Sequence, residues 1–395
     1  MKLGIVGGRL QGVEASYLAR KAGYEVVLFD RRPDVPALGL ADEFHRGDVR
    51  SEPNRMRRLF GRCDAVLPAC EDLATLIWMA ERLPSWGVPL LFDLPAFLIT
   101  RSKLASDGLF ARLDLPRPRY WPNCEFPVIV KPDAESGSHG VRLLWDEPEV
   151  SQAVGDSCTT ADRVVLQEFI DGPSISVEVI AVGGKARALQ VTELEFDEAY
   201  DCKRVVAPAA VSSRAKQMIA GFAVAIAREL GLSGVMDLEG MLDGQVPKLL
   251  EIDARLPSQT PIAVYHSTGL NLVRLLLEAL TCGRLPEADR MAERGVVLQH
   301  VRVDGGRLRL VGEAALAQAR PLKVIPDFYG SVEAITDYRP GRASWVGTLI
   351  FEGVDAAAAR AAAEEGTAAM AASLGLASAC EDVRSLSPHR LEPVA

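Results

Sequence analysis

The sequence predicts a mixed α/β and α+β chain, in which a parallel, Rossmann-like domain precedes a larger body of antiparallel strands and helices. Three observations predict it. The first ninety-odd residues alternate short apolar strands with amphipathic helices, the order that builds parallel sheets. From residue 128 onward, apolar runs of strand length follow one another in pairs separated by short turns. A length of 395 residues also exceeds what one compact core serves, so two or three subdomains are expected.

Leu3-Gly4-Ile5-Val6 reads as a buried strand, Gly7-Gly8 as a turn, and 10–22 as an amphipathic helix. The next strand, 25–29, ends at Asp30 and completes a βαβ opening. Ala65-Val66-Leu67-Pro68 adds a strand, 72–82 a helix, and Val88-Pro89-Leu90-Leu91-Phe92 a last strand that closes a domain over 1–97. Residues 96–113 read as one helix, and Pro116, Pro118, Pro122 and Pro127 mark a boundary. Strands at 128–131, 141–145 and 164–169 fall in a small lid subdomain over 98–178. Runs 174–182 and 186–194 look like antiparallel partners, followed by a helix at 213–230, strands at 235–242 and 247–252, and a helix at 271–281. With a β-rich stretch of short strands and turns at 295–351, these make a large subdomain over 179–353. An Ala-rich helix at 354–374 opens a C-terminal segment, 354–395, whose tail after Glu381 is expected to be mobile.

Composition excludes several classes. Apolar residues make up 48% and charged residues 25%, as in ordinary globular proteins, and no apolar run reaches the ~18 residues of a membrane span. A net charge of −9 argues against a nucleic-acid surface. The seven cysteines are odd in number and scattered, with no CxxC pair, and read as reduced thiols in a cytoplasmic protein. The first residues are too short and too strand-like for a signal peptide.

The opening glycines raise the question of a dinucleotide site. That site needs G-x-G-x-x-G, because the second glycine lets backbone approach the pyrophosphate. In Gly7-Gly8-Arg9-Leu10-Gln11-Gly12, Arg9 stands at that second glycine, which disfavours NAD even though Asp30 could serve as a ribose acid. Arg9, Gln11 and Glu14 instead form a polar cluster at a helix N-terminus, a place suited to a charged small molecule.

Downstream residues supply the parts of phosphoryl transfer, which is mostly positioning and charge neutralisation. Lys103 enters a helix, and Lys131 ends the apolar strand Val128-Ile129-Val130-Lys131. Glu135-Ser136-Gly137-Ser138-His139-Gly140 is a small-residue loop whose backbone, with Ser136 and Ser138, could close over phosphates. Its alternative is a plain hairpin turn. Glu168-Phe169-Ile170 leads from a strand into a turn, as in a hinge that reads adenine through its backbone.

Met236-Asp237-Leu238-Glu239 is followed twelve residues after Glu239 by Glu251-Ile252-Asp253-Ala254-Arg255. Glu251 and Asp253 point to one face of their strand, and a neighbouring strand would bring Glu239 beside them. Three hard oxygen donors suit Mg²⁺, and such like charges would be costly without a cation. The alternative is a solvated strand edge. Arg255 can grip a phosphate oxygen bidentately.

Two lysines, a small-residue loop, a hinge acid and then E-x-[DN] with a trailing Arg resemble the signature of ATP-grasp ligases. Several stretches are similar to one family among them, the 3-methyl-D-ornithine–L-lysine ligases of pyrrolysine biosynthesis. These are 7–18, Tyr200-Asp201-Cys202, 234–239 and, above all, Glu251-Ile252-Asp253-Ala254-Arg255-Leu256-Pro257-Ser258-Gln259-Thr260-Pro261, continuing into Tyr265, Ser267, Gly269 and Asn271. The similarity spans nearly the whole chain and is weakest over 296–351 and in the tail.

The resemblance implies an ATP-grasp fold and an acyl phosphate made from 3-methyl-D-ornithine, which the ε-amine of L-lysine attacks. It implies ATP and magnesium, two ions, as cofactors. Leu10, Gln11, Glu14 and Glu71 would line the lysine side. Lys103, Lys131, Ser136, Ser138, Glu168, Phe169 and Ile170 would hold ATP, with Lys131 and Arg255 catalytic. Glu239, Glu251 and Asp253 would hold the metal, and Asp237, Ser258, Tyr200 and Asp201 would lie near the ornithine. Ser174 stands where many ATP-grasp enzymes carry a ribose-binding acid, so the ribose partner stays unassigned. The expected partners are these amino acids and a second copy of the chain as a homodimer, with no nucleic acid or membrane. Three other readings stay open: an NAD(P)-dependent oxidoreductase, a non-catalytic ATP-binding module, and another ATP-grasp amino-acid ligase with a different carboxylate substrate.

Overall fold

A computed structural model of the chain describes residues 1–134, 137, 140–160, 163–287 and 293–378. The expected tail after Glu381 lies outside them.

The N-terminal domain is a parallel four-stranded sheet. Strand β1 (Lys2–Val6) leads through Gly7-Gly8 into helix α1 (Leu10–Lys21), and β2 (Glu25–Asp30) returns beside β1. Then come β3 (Glu43–Arg46), α2 (Pro53–Phe60), β4 (Ala65–Pro68) and α3 (Leu73–Arg82), in sheet order β3-β2-β1-β4. No apolar periodicity in these stretches is strong enough to reveal β3 or α2. The fifth strand expected at Val88–Phe92 is reduced to one parallel bridge, Val66 to Leu90.

Helices α4 (Leu94–Thr100) and α5 (Lys103–Arg112) replace the single helix expected over 96–113. Ser102 breaks it: its hydroxyl accepts the Ala105 N–H as a new N-cap and donates to Asp133 Oδ1 at 2.8 Å. This cap ties α5 to the lid, a three-stranded antiparallel sheet of β5 (Val128–Pro132), β6 (Arg142–Leu144) and β7 (Val164–Glu168), with α6 (Glu147–Thr160) beside it.

The body is an eleven-stranded sheet. Its first half comprises β8 (Ser174–Val182), β9 (Lys185–Phe196), β10 (Cys202–Ala207), α7 (Ser213–Glu229), β11 (Gly234–Asp243) and β12 (Val246–Asp253). The chain therefore leaves the lid between Glu168 and Ser174, and the division expected at 178 would cut β8 in two. Helix α7 buries Ala215, Ile219, Ala223, Ile226 and Ala227, a stripe at helical spacing, against β8 and β9.

After α8 (Thr260–Thr268) and α9 (Leu272–Cys282) come β13 (Gly295–Asp304), β14 (Arg307–Leu310), β15 (Lys323–Phe328), β16 (Ser331–Thr336) and β17 (Trp345–Gly353). Strands β13 and β17 pair over nine residues and extend the same sheet, in the order β12-β11-β8-β9-β10-β13-β17-β16-β15. Helix α10 (Ala356–Ser373) packs on β17 and β13, and β18 (Ala377–Ser378) pairs β14.

One hydrophobic cluster runs through β1, α1, α8, α9 and β13, so the N-terminal domain and the body share a core. Their polar surfaces meet where the C-terminal end of β1 faces the segment after β12. That junction holds the site.

Candidate active site

Strands β11 and β12 pair antiparallel with Glu239 opposite Glu251 and Asp237 opposite Asp253. Directly opposed residues share a face, and so do residues two apart, so all four carboxylates project to one side. A register shift between Glu239 and Gly240 changes the pairing beyond these acids, so that Gly240 faces Leu249. Strand β8 on the other side places Glu178 opposite Asp237.

Burial and mutual repulsion raise Asp237, Glu239 and Asp253 together. Desolvation, then Glu251 and Asp253, push Glu239 to about 8. Desolvation pushes Asp253 to about 6 even though Arg255 pulls the other way. Asp237 rises well above the carboxylate range, first by burial and then by Asp253 and Glu239. Its Oδ1 is buried without a hydrogen-bond partner among the described residues.

Two cations offset this charge. Lys103, buried at the start of α5, reaches Glu251 Oε1 at 2.9 Å. The Arg255 Nη2 group lies 2.9 Å from Asp253 Oδ2 and 3.0 Å from Glu71 Oε1. Desolvation opposes the Arg255 charge, yet Asp253 and Glu71 outweigh it and hold the guanidinium firmly protonated. Lys131 points across from the lid with its Nζ 3.4 Å from the Leu250 carbonyl, and burial lowers its pKa while Glu251 opposes that shift.

As the side chains stand, no three His, Cys, Asp or Glu groups among the described residues converge into a metal cage. Glu251 is turned to Lys103 and Asp253 to Arg255. The donor set nonetheless suits a hard cation: all-oxygen, on one sheet face, with repulsion that a divalent ion would relieve.

Three cavities meet around this acid face. Between lid and body lies a slot of about 140 Å³, walled by Ile129, Phe169, Ile170, Met241 and Leu250, with Lys103, Lys131 and Glu251 at one end. Its shape and apolar walls suit a planar base, with cations placed for phosphates. Glu168 lies at the hinge but its carboxylate is held by Arg119 Nε at 2.8 Å and Lys248 Nζ at 2.5 Å. It braces the hinge while lining the slot together with Phe169 and Ile170. Ser174 also lines the slot.

A chamber of about 100 Å³ contains Asp201, Asp237, Glu239, Glu251, Asp253, Arg255, Ser258 and Glu313. A third cavity, about 400 Å³, opens at the N-terminal domain and includes Arg9, Leu10, Gln11, Asp30, Glu71 and Asp72, with Arg255, Ser258 and Glu313 on its far wall. Gln11 Nε2 donates to Glu71 Oε1 at 2.9 Å, so the two expected lysine-side residues and Arg255 form one array.

Not every expected residue faces a ligand. Both Glu14 oxygens are taken by backbone N–H groups that begin α8: Oε2 by Gln259 at 3.0 Å and Oε1 by Ile262 at 2.7 Å. Glu14 is therefore a buried helix cap supplied from another domain, in place of the substrate contact expected. Tyr200, at φ +61°, lines the base slot, while Asp201 lies in the acid chamber with Oδ2 accepting from Ala314 N at 3.0 Å. The pair expected together is thus split between two cavities. Ser136 and Ser138 lie outside the described residues. Their loop neighbour Gly137, at φ +62°, lines both the chamber and the N-terminal cavity. Gly7 and Gly12 are explained by packing: a Cβ on either would meet backbone oxygen, Ala69 O at 2.3 Å or Gly7 O at 2.2 Å.

Sequence reasoning missed three residues. Glu178, fully buried, is pushed to about 7 by desolvation, and Glu313 likewise to about 7. His300 joins Gln259 Oε1 to Thr348 Oγ1, at 3.0 and 2.9 Å. Gln259 itself sits at φ +75°, ψ −54°, with Thr260 N bonded to Ser258 O at 3.0 Å. That is a three-residue γ-turn of the rare, strained hand, which turns Ser258 toward the chamber. An acid at the centre of the apolar β8 run was a readable signal for Glu178. Glu313 and His300 lie in the region where motif matching was weakest.

Comparison with known proteins adds relatives to this geometry. The carbamoyl-phosphate synthase L chain ATP-binding domain matches residues 120–287. The 3-methyl-D-ornithine–L-lysine ligase of Methanosarcina barkeri is 36% identical over 315 residues, covering 79% of this chain and 83% of that protein. The Methanosarcina acetivorans ligase of the same name is 35% identical over the same shares. Among solved structures, a Campylobacter jejuni biotin carboxylase complex superposes with a TM-score of 0.72 at 13% identity, covering 95% of each chain. The Hydrogenobacter thermophilus 2-oxoglutarate carboxylase biotin carboxylase domain, described with MgADP, superposes at 0.68 and 14% identity over 88% of this chain and 85% of that one. The last two show likeness of fold.

Proposed function

The chain belongs to the 3-methyl-D-ornithine–L-lysine ligases, ATP-dependent C–N bond-forming enzymes of the ATP-grasp fold, and from that premise we propose the reaction and the role of each side chain. The carboxylate of a 3-methyl-D-ornithine-type amino acid is phosphorylated by ATP, and the ε-amine of L-lysine displaces the phosphate to give an isopeptide for pyrrolysine biosynthesis. The observation that carries this reading is the register of β11 on β12, which sets four carboxylates between a base-shaped slot and a cavity on the N-terminal domain.

ATP lies in the slot, its base against Phe169 and Ile170 and its phosphates toward Lys103 and Lys131. Glu239, Glu251 and Asp253 would hold magnesium, two ions in our reading, and when bound the metal neutralises phosphate charge. Lys131 and Arg255 stabilise charge on the transferring phosphoryl group. The chamber beside Asp237, Asp201 and Ser258 takes the ornithine, whose ammonium groups match its acids.

Lysine enters the N-terminal cavity past Leu10 and Gln11. A free ε-amine has a pKa of about 10.4 and an α-amine about 8, so neutralising the ε-amine at pH 7 costs roughly 4.6 kcal/mol. Intrinsic acidity alone would select the α-nitrogen. Position must decide instead. Glu71, held by Gln11 and Arg255, pairs the α-ammonium and keeps it protonated, leaving the ε end to reach the acyl phosphate.

The test is ADP release measured with L-lysine plus 3-methyl-D-ornithine, against each amino acid alone, with the product's linkage read by mass spectrometry. The reading predicts release that needs both and an ε-linked product. Equal release without lysine, or an α-linked dipeptide, would overturn it.

A further inference from the structure

The reaction proposed above leaves one proton unaccounted for. The lysine ε-ammonium must lose it before the nitrogen can attack, and Glu71 is unsuited to the task because it anchors the other end. The receiving group must stand where the N-terminal cavity opens into the acid chamber, since the amine arrives from one and the acyl phosphate forms in the other.

Among the described residues, four belong to the walls of both cavities: Gly137, Arg255, Ser258 and Glu313. Glycine has no side chain to offer, arginine stays protonated, and a serine hydroxyl is a poor base at neutral pH. Glu313 alone remains. It begins the short 3-10 turn Glu313–Gln318 after β14, and its Oε2 is buried with no hydrogen-bond partner among the described residues. Three of the neighbouring acids are otherwise engaged. Asp253 is paired with Arg255, Glu251 with Lys103, and Asp201 accepts the Ala314 N–H, an anchor one residue from Glu313.

We propose that Glu313 is the general base that takes the proton from the attacking ε-ammonium of lysine. The proposal rests on the ligase reading above. The ε-ammonium gives one proton to the Glu313 carboxylate, and the freed nitrogen lone pair forms the N–C bond to the acyl carbon. The C–O bond to phosphate then breaks, phosphate leaves with that electron pair, and the second nitrogen proton goes with it. One amide, one hydrogen phosphate and one protonated Glu313 result. Burial, opposed by Ser258 and Gln259, raises the Glu313 pKa to about 7, which suits a group that must accept and then release a proton near neutrality.

Hydroxylamine separates this step from the one before it. It is largely neutral at pH 7, so it captures an acyl phosphate as a hydroxamate without help from a base. Glu313→Gln should lose lysine ligation by about a hundredfold or more, the usual worth of a general base, while ATP-dependent hydroxamate formation from the ornithine stays within a few fold of wild type. Raising the pH toward 9 should recover part of the lysine rate. If the variant loses hydroxamate formation as severely as ligation, Glu313 serves the phosphorylation step or the fold, and the proposal fails. Ligation within a few fold of wild type also overturns it. Wild-type enzyme that makes no hydroxamate would instead strike down the acyl phosphate itself.

Discussion

The N-terminal domain and the β11–β12 face both crowd polar groups against an apolar core, yet they treat them oppositely. In the N-terminal domain the acids at the junction are satisfied by backbone donors. Asp30 accepts from Gly8 N and Arg32 N, both at 2.8 Å, and Glu14 accepts two N–H groups of the α8 start. On the β11–β12 face and the adjoining β8, Asp237 Oδ1, both Glu178 oxygens and Arg255 Nε are buried with no hydrogen-bond partner among the described residues. A buried polar atom left unpaired costs about 1–3 kcal/mol. A fold that tolerates several of them together is arranged around something it will bind. The contrast separates Glu14 from Asp237 although both are buried acids near the same junction.

The largest test of that contrast is Glu251→Gln. The amide keeps the volume and can still accept from Lys103, but it removes one anionic metal donor. Turnover of ATP should fall by about a thousandfold with the far-ultraviolet dichroism and melting transition preserved. Retained ligase activity would sink the magnesium assignment and, with it, the claim that the unpaired face is the catalytic one.

Glu14→Gln probes the other side. An amide can accept only through its oxygen and sets its NH₂ against a backbone donor, so it loses one of two cap bonds. Stability should drop by about 1–3 kcal/mol in urea unfolding, while the Km for lysine per folded molecule stays near wild type. A shifted lysine Km with unchanged stability would return Glu14 to the binding site and blur the distinction.

How much of this was legible beforehand follows the same division. Motifs with local spacing were readable: Glu239, Glu251 and Asp253 needed only alternation and one antiparallel pairing, and β11 and β12 supply it. The two lysines were readable from their placement at a strand end and a helix start. Glu14 was misjudged because its partners, Gln259 and Ile262, lie about 245 residues away and no local pattern announces them. Residues 295–351 read only as a β-rich stretch of the large subdomain, because turns break them up and hide their partners. Their strands nevertheless join the central sheet through β13 on β10, a long-range pairing that a one-dimensional reading cannot anticipate. Glu313 and His300 were overlooked for the same reason.

Glu71→Gln is a smaller perturbation at the seam between the two regions. A charge-assisted contact to the α-ammonium is worth about 1.5–3 kcal/mol, so the Km for lysine should rise about ten- to a hundredfold, with the Km for ATP unchanged. The fraction of α-linked product should rise alongside it. An unchanged Km and a purely ε-linked product would remove Glu71 as the anchor.

The mildest effect, a few degrees in melting temperature, comes from pH on the ligand-free protein. Burial raises Glu14 and Glu239 to about 8 and Glu178 and Glu313 to about 7, above the 4.5 of an unfolded glutamate. For a raised acid, the folded state holds more protons than the unfolded one, so stability falls as pH climbs through the folded value. His300 works the opposite way: burial lowers it to about 3 from 6.5, so its contribution grows only until pH passes 6.5. Above that point the acids act unopposed by it, and the melting temperature should decline between pH 6.5 and 8. MgADP should flatten the decline, because a cation on the β11–β12 face favours the ionised Glu239 and leaves only the Glu14, Glu178 and Glu313 share. A flat profile without ligand would mean that these carboxylates are already compensated in the free protein, and the difference between the two regions would lose its energetic meaning.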